Sequence, residues 1–258
     1  MTRTCLLLVS WLAMSAGPAS GQSSTEMQKI TGGTFVPLYG ADSAEVHIDD
    51  FYLDVYPVTN AQFVDFVRSY PNWRRSQVIR LFADQNYLRT WADDTTLGAG
   101  MLPRAPVTYV SWFAAKAYCE CLGKRLPTMD EWEYVAMADE KQKDARADSL
   151  FNQRIISGYE TPDTHIQPVG STYRNFWGIY DMHGLIWEWT SDFNSVLISG
   201  ESRKDGDTDR NLFCAAGSVN ATDLMNYAAF MRYALRGSIK ARYSLRSLGF
   251  RCAKDVSE

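Results

Sequence analysis

The 258-residue sequence has no apolar run long enough to cross a membrane as a helix. Its longest apolar stretch covers residues 5–14, whereas such a helix needs roughly twenty residues. Blocks of like charge are also missing, and the formal net charge of -4 is dispersed along the chain. We therefore expect no membrane span once the N-terminal segment is removed. Neither nucleic acid nor an anionic membrane surface is expected as the main partner.

The sequence contains only 3 histidines, and their spacing fits no metal site. His47, His165 and His183 lack the i, i+4 spacing that places two ligands on one helix face. Gly32-Gly33 is not followed by Lys-Ser or Lys-Thr, which excludes a phosphate-binding loop. His183 is the one histidine that we keep as a candidate for a pocket, and a solvated loop histidine is the alternative.

Residues 1–21 have the three parts of an export signal. Arg3 precedes the apolar stretch, and small residues predominate over positions 15–21. We predict a signal peptide over residues 1–21, a periplasmic or secreted mature protein, and one domain over residues 28–255. A permanent N-terminal anchor is the alternative.

Cysteines are few after this segment: only Cys119, Cys121, Cys214 and Cys252 remain. An even number in an exported chain favours at least one disulfide, because the compartment is oxidising. On a helix, Cys119 and Cys121 would point about 200° apart, which makes a shared metal difficult. Cys121 is interpreted as a second structural or free thiol. Pairing with Cys214, structural or redox-active, stays open.

Three helices are predicted in the first half of the chain. Thr59-Asn-Ala-Gln62 and Thr128-Met-Asp-Glu131 are capping boxes, in which each side chain satisfies a backbone N–H group at a helix start. Between Ser111 and Leu122, apolar residues fall on one helical stripe. From Gln167 onwards we predict short strands and loops.

Seven segments, spread in order over nearly the whole chain after residue 28, carry one family pattern. They are Gly32-Gly-Thr-Phe35, the segment 48–63, Pro106-Val-Thr-Tyr-Val-Ser-Trp112, the segment 123–134, the segment 180–192 with its Gly184-Leu-Ile-Trp-Glu-Trp189, Gly217-Ser218 and Leu248-Gly-Phe-Arg-Cys252. Together they resemble the formylglycine-generating enzyme (sulfatase-modifying factor) family. The resemblance implies a C-type-lectin-like α+β fold with little regular secondary structure and structural calcium. In the authentic enzyme it also implies a copper-dependent oxidase that converts a sulfatase cysteine to formylglycine.

The two thiols that this oxidation needs are missing. The resemblance places them within residues 217–236, and that stretch contains no cysteine. Because copper(I) prefers thiolate ligands, we expect neither copper nor formylglycine formation. The resemblance also implies a disulfide between Cys119 and Cys252. A second family disulfide would join positions that align with Ala136 and Tyr233, so it is not expected here.

The resemblance supplies further candidate site residues. Glu188 matches a calcium ligand, and a buried hydrogen-bonding glutamate is the alternative. Trp189 and Ser218 match positions that line the family's substrate cleft, and the alternatives are a core tryptophan and a turn serine.

Arginines are concentrated near the C-terminus: Arg232, Arg236, Arg242, Arg246 and Arg251. If they alternate along strands, several would share a face and form a guanidinium wall for an anionic ligand or a peptide carboxylate. Arg232 and Arg236 are therefore candidates for the cleft. Structural pairing with aspartate and glutamate is the commoner explanation, and we favour it.

Three functions are compatible with these features. The first is an exported accessory or maturation factor that binds a peptide or protein partner in the family's cleft. The second is an oxidoreductase with a relocated metal or thiol site that uses Cys214 or Cys121, His183 and the arginines. The third is a calcium-dependent, lectin-like binding module.

Overall fold

The computed structural model describes residues 25–38, 44–194 and 224–256. Cys214 and Ser218, both named above, lie outside these ranges. The described elements in chain order are β1 (Met27–Ile30), β2 (Gly33–Phe35), β3 (Val46–Ile48), β4 (Phe51–Asp54), α1 (Asn60–Ser69), α2 (Trp112–Cys121), α3 (Met129–Ala136), α4 (Ser149–Glu160), β5 (Trp187–Glu188), α5 (Leu224–Ser238), β6 (Leu248–Gly249) and β7 (Ala253–Asp255), with 3-10 turns at Pro71–Trp73 and Thr164–Ile166.

The strands are short and form three small sheets. Strand β4 is the centre of an antiparallel sheet between β1 and β7, so the first and last described strands share one sheet. Strands β2 and β3 form an antiparallel pair, and β5 and β6 form a two-residue parallel pair. The α+β fold with little regular secondary structure is confirmed. None of the helices in the described ranges is both long and apolar enough to cross a membrane.

The predicted helix starts are confirmed. Thr59 Oγ1 accepts the N–H of Gln62 at 3.4 Å, and Gln62 Oε1 accepts the N–H of Thr59 at 2.8 Å. The same exchange joins Thr128 and Glu131 at 3.1 and 2.8 Å. Ser111 caps α2. These caps depend on residues three apart, which is why the sequence alone predicts them.

Helix α5 corrects the prediction of short strands and loops beyond Gln167. Its buried residues include Ala228, Ala229 and Tyr233, and a spacing of four is helical. The helix packs against α4. Because Arg232 and Arg236 are four residues apart, the helix puts both on one face. A shared face was predicted, but from alternation along a strand.

A disulfide joins Cys119, near the end of α2, to Cys252, just before β7. This is the pairing that the resemblance implied. The two Cα atoms are 5.6 Å apart, and neither residue is exposed to solvent. Both lie in the larger hydrophobic core, beside Phe63 and Phe250. The disulfide therefore links α2 covalently to the C-terminal segment that precedes β7.

Candidate functional site

A buried ion cluster joins α3 to α5. Arg232 donates from Nε and Nη2 to the Glu133 carboxylate, at 2.9 and 2.6 Å for the shorter contacts. Arg236 Nη1 donates to Glu133 Oε1 at 2.7 Å. All three residues are buried. Burial alone would raise the pKa of Glu133, but the two guanidinium groups outweigh it and lower that pKa to about 2.

This cluster decides between the two interpretations of the arginines. Arg232 and Arg236 are paired inside the protein, and their guanidinium carbons lie 5.7 and 4.9 Å from the centre of the Trp132 ring. Such stacking on an aromatic face further stabilises buried cations. The prediction of an open guanidinium wall is therefore wrong for these two arginines. They form structural ion pairs, as the alternative stated.

His183 belongs to the same buried region. Its Nε2 lies 2.8 Å from the Ala136 carbonyl oxygen, and its Nδ1 lies 3.4 Å from the Tyr159 hydroxyl. Burial, together with the charge of Arg232, lowers the pKa of His183 to about 3. It lines a cavity of about 20 Å³, room for a single water molecule. The alternative of a solvated loop histidine is wrong.

The buried polar cluster, defined as Glu133, Tyr159, His183, Arg232 and Arg236, is continuous. Arg232 Nη1 donates to the Tyr159 hydroxyl at 3.1 Å, which links the ion cluster to the histidine. Because the cavity beside His183, Glu133 and Arg232 holds about one water molecule, no substrate fits there. Among the described residues, His183, Arg232 and Arg236 therefore offer no room for a substrate; Cys214, another residue of the redox hypothesis, lies outside them.

His183 is expected to make the protein less stable below neutral pH. The unfolded chain binds a proton at this side chain below pH 6.5, whereas the folded chain does so only near pH 3. The contribution of His183 to the free energy of unfolding is therefore fully present above pH 6.5. It falls by up to ~1.4 kcal/mol per pH unit between pH 6.5 and 3. Glu133 adds nothing between pH 7 and 5, because both of its pKa values lie below that range.

Urea unfolding of wild type and of His183→Gln at pH 7 and pH 5 measures this effect. The variant should lose roughly 2 kcal/mol less than wild type over this interval. His47→Gln is the matched control, because that side chain is exposed, and it should behave like wild type. An equal loss in wild type and His183→Gln would contradict the prediction.

Glu188 does not fit a calcium site. Both of its carboxylate oxygens accept hydrogen bonds from Arg251, at 2.8 to 3.0 Å, and Trp132 Nε1 donates to Oε2 at 2.8 Å. Arg251 and Glu188 are both buried. A calcium ion needs free oxygen ligands, and a guanidinium group already holds these. Glu188 is therefore a buried, hydrogen-bonding glutamate, which was the alternative. Calcium binding elsewhere in the chain stays a prediction.

Trp189 belongs to the core and lines neither the cavity beside His183 nor the open cleft described below. It has no exposed surface, its Nε1 donates to the Val110 carbonyl at 3.0 Å, and its ring packs edge-on against Phe193. The assignment of Trp189 to the cleft is wrong. Trp187, two residues earlier, is the tryptophan that reaches an open cavity. Nothing within the Trp-Glu-Trp motif distinguishes the two, because burial is decided by the elements packed around them.

An open cleft of about 270 Å³, here called the Trp187 cleft, lies among the described residues. The rings of Trp187 and Tyr159 are 4.6 Å apart and form an aromatic surface. At the other side, Arg246 forms an ion pair with Asp163, and Arg246 Nε lies 3.4 Å from His165 Nε2. Burial and the charge of Arg246 lower the pKa of His165, so the imidazole is neutral at neutral pH.

The cleft combines an aromatic face with an accessible guanidinium group. An aromatic face supplies apolar contact area, and a guanidinium group supplies charge-assisted hydrogen bonds to a carboxylate. Arg246 and Asp163 are both at least half exposed in their side chains, so a ligand can reach them. Unlike Arg232 and Arg236, Arg246 keeps its ion pair at an accessible position, where its guanidinium group can also donate to the carboxylate of a ligand.

Comparisons with known proteins identify the family of the chain. A family model described as a sulfatase-modifying factor enzyme 1-like domain matches residues 13–256. The chain is 27% identical over 301 residues to the inactive C-alpha-formylglycine-generating enzyme 2 of Bos taurus, covering 98% of this chain and 94% of that protein. It is 28% identical over 297 residues to the formylglycine-generating enzyme of Streptomyces coelicolor, covering 95% of this chain and 94% of that protein.

A solved structure shares the fold. The crystal structure of CarF superposes with a TM-score of 0.52 at 16% sequence identity, covering 91% of this chain and 99% of that one. At this identity the likeness concerns the fold alone.

Proposed function

The chain belongs to the sulfatase-modifying factor enzyme 1-like family, and on that premise we propose that it is an exported accessory or maturation factor. It binds a peptide segment of a partner protein in the Trp187 cleft and does not oxidise sulfatase cysteines. The partner is another exported protein, because residues 1–21 have the composition of an export signal.

The observation that carries the proposal is the absence of cysteine from residues 217–236. The resemblance locates the catalytic thiol pair there, and copper(I) requires such soft ligands. In the part of this segment that the structure describes, Arg232 and Arg236 are committed to Glu133. Guanidinium groups carry a positive charge and do not ligate metals, so this donor set does not fit copper. A relative that bears the word inactive in its name is compatible with such a loss.

Binding is supported by the cleft itself. Its volume of about 270 Å³ approaches the lower end of ligand-binding clefts. Trp187 and Tyr159 offer an aromatic surface, and Arg246 offers a guanidinium to an acidic side chain or a chain terminus. The calcium-dependent lectin hypothesis has no comparable support, because the ligand assigned to calcium, Glu188, is paired with Arg251.

Photo-crosslinking in the native host tests this proposal. A crosslinking amino acid at Thr161, an exposed residue of the cleft wall, is expected to capture one exported protein. The same group at Glu120, an exposed residue of α2 outside the cleft, is the control. The captured partner is then purified, and Arg246→Glu is expected to weaken its binding roughly 10- to 100-fold, because a charge-assisted hydrogen bond becomes a repulsion.

Two outcomes would contradict the proposal. One is partner binding that is unchanged by Arg246→Glu. The other is formation of formylglycine in a cysteine-containing sulfatase peptide when the protein is supplied with copper and oxygen, since that oxidation requires the thiol pair which this chain lacks.

A further inference from the structure

One side of the Trp187 cleft holds a group of three polar side chains. His165 lies in the 3-10 turn Thr164–Ile166, Asp163 precedes this turn, and Arg246 lies before β6. Arg246 Nη2 donates to Asp163 Oδ1, and Arg246 Nε lies 3.4 Å from His165 Nε2. His165 therefore lies directly beside the guanidinium group that offers hydrogen bonds to a ligand.

The contact with Arg246 defines the proton on His165. Because a guanidinium group only donates hydrogen bonds, Nε2 accepts from Arg246 and carries no proton at neutral pH. Partial burial and the charge of Arg246 lower the pKa of the imidazole, whereas Asp163 acts in the opposite direction. Tyr159 and Tyr109 are the other titratable side chains that line the two cavities beside His165, and neither supplies a carboxylate.

The charges that line the cleft cancel at neutral pH. Among its lining residues, Asp163 contributes one carboxylate and Arg246 one guanidinium group, while the imidazole is neutral. Protonation of His165 removes the acceptor of the Arg246 Nε–H and places a second cation beside it. Asp163 cannot balance both cations, so this side of the cleft becomes positive. A carboxylate that enters the cleft restores the balance, because opposite charges this close attract strongly.

A ligand can reach this group of side chains. The side chains of Arg246 and Asp163 are 61% and 50% exposed, and His165 is partly exposed. Arg246 Nη1 donates to no group that the structure describes. A carboxylate accepts several charge-assisted hydrogen bonds at once, so Nη1 and a protonated imidazole can both donate to one ligand carboxylate.

We propose that His165 is a ligand-binding residue of the Trp187 cleft, where its imidazolium form and Arg246 together hold a carboxylate of the bound segment. Binding therefore strengthens as the pH falls from 7.5 to 5.5. The carboxylate is a chain terminus or an acidic side chain, and both stay ionised over this interval. That the carboxylate belongs to a partner protein rests on the proposed function; the binding of a carboxylate does not.

The size of the effect follows from linkage between proton and ligand. A carboxylate bound beside the imidazole raises the pKa of His165, because an opposite charge favours the ionised form. One pKa unit corresponds to a tenfold difference in affinity between the two protonation states. We therefore expect the affinity for a carboxylate to be roughly 3- to 10-fold higher at pH 5.5 than at pH 7.5.

The other two histidines do not produce this effect. The pKa of His183 is about 3, so this side chain stays neutral throughout the interval. His47 lies in β3 beside Asp49 and does not line the cleft. A dependence of carboxylate binding on pH in this interval is therefore assigned to His165.

Small probes test the cleft by itself. N-acetyltryptophan carries a terminal carboxylate, N-acetyl-aspartyl-tryptophan amide carries an acidic side chain, and N-acetyltryptophan amide carries neither. Each is titrated against the full chain by NMR at pH 7.5 and 5.5 and constant ionic strength. We expect a 3- to 10-fold gain at pH 5.5 for at least one carboxylate probe, which identifies the source of the carboxylate, and none for the amide. Absence of binding by both carboxylate probes, or an equal gain for the amide, would overturn the inference.

Variants at position 165 locate the effect. His165→Gln keeps a polar side chain that cannot ionise, and it should bind the carboxylate probes equally at both pH values. His165→Arg carries a permanent charge and should bind them at pH 7.5 as tightly as wild type does at pH 5.5. His47→Gln is the control and should keep the gain. A gain of wild-type size in His165→Gln would refute the role of His165.

The partner from the crosslinking experiment separates the two proposals. A gain in partner affinity at pH 5.5 that wild type shows and His165→Gln lacks supports both. If Arg246→Glu weakens partner binding while wild type and His165→Gln respond equally to pH, the proposed function stands and the inference about His165 is refuted. A gain for the carboxylate probes that depends on His165, without any partner captured at position 161, supports the inference and contradicts the proposed function.

Discussion

Replacing both Cys119 and Cys252 by alanine is expected to lower the free energy of unfolding by about 5 kcal/mol. The two residues are 133 positions apart in the chain, and a disulfide that closes a loop of this length removes much of the conformational freedom of the unfolded state. Removing native disulfides from small exported domains typically costs roughly 2–5 kcal/mol. Here the disulfide is buried in the core, so the variant also loses packing.

Urea unfolding of the double variant and of oxidised wild type measures this difference. Wild type unfolded in the presence of a strong reductant is the matched control, because it keeps both sulfur atoms and loses only the bond. A further loss when the reductant is added to the double variant would report the pairing of Cys121 with Cys214 that the sequence leaves open. A double variant within about 1 kcal/mol of wild type would contradict the prediction.

Glu133→Ala is expected to cost roughly 3–5 kcal/mol. The variant leaves Arg232 and Arg236 as buried cations without a counter-charge, and breaking a buried ion pair on one side has an effect of this size. For a chain of this length, 1 kcal/mol corresponds to about 2–4 °C in Tm. The Tm should therefore fall by roughly 6–20 °C.

Glu140→Ala is the matched control for this prediction. Glu140 forms an ion pair with Arg154, and both side chains are more than one third exposed. Pairs of this kind contribute at most about 1 kcal/mol. Thermal unfolding of the two variants under the same buffer separates buried from exposed pairing. Equal Tm values for Glu133→Ala and Glu140→Ala would show that the buried ion cluster contributes nothing beyond a surface pair.

The candidate site was the hardest part to predict, for a physical reason. The sequence singled out the C-terminal arginines and the Trp-Glu-Trp motif as candidates. It assigned Trp189 to the cleft and Glu188 to calcium, whereas the structure buries the first and pairs the second with Arg251. Whether a tryptophan is core or surface depends on which distant elements cover it, and no local pattern reports that.

The cleft shows the same limit. Trp187, Asp163 and Arg246 come from three separate segments, and the pairing of β5 with β6 brings the first near the third. For His183 the sequence left a pocket residue and a solvated loop histidine open, and the neighbouring aromatic side chains and α5 bury it and lower its pKa. In both cases the surroundings of the side chain are decided by residues that are distant in the sequence.

The sequence by itself determined two kinds of feature: those that depend on residues close together in the chain, and those that depend only on whether a residue type is present in a segment. The capping exchange of Thr59 with Gln62 spans three residues, and the missing thiols of residues 217–236 are a matter of composition. The family pattern added the disulfide. Only the tertiary structure decided that Glu133 meets Arg232 and Arg236, which are 99 and 103 residues away. Burial makes an unpaired charge costly, but packing of α5 against the rest of the fold selects the partner that removes this cost.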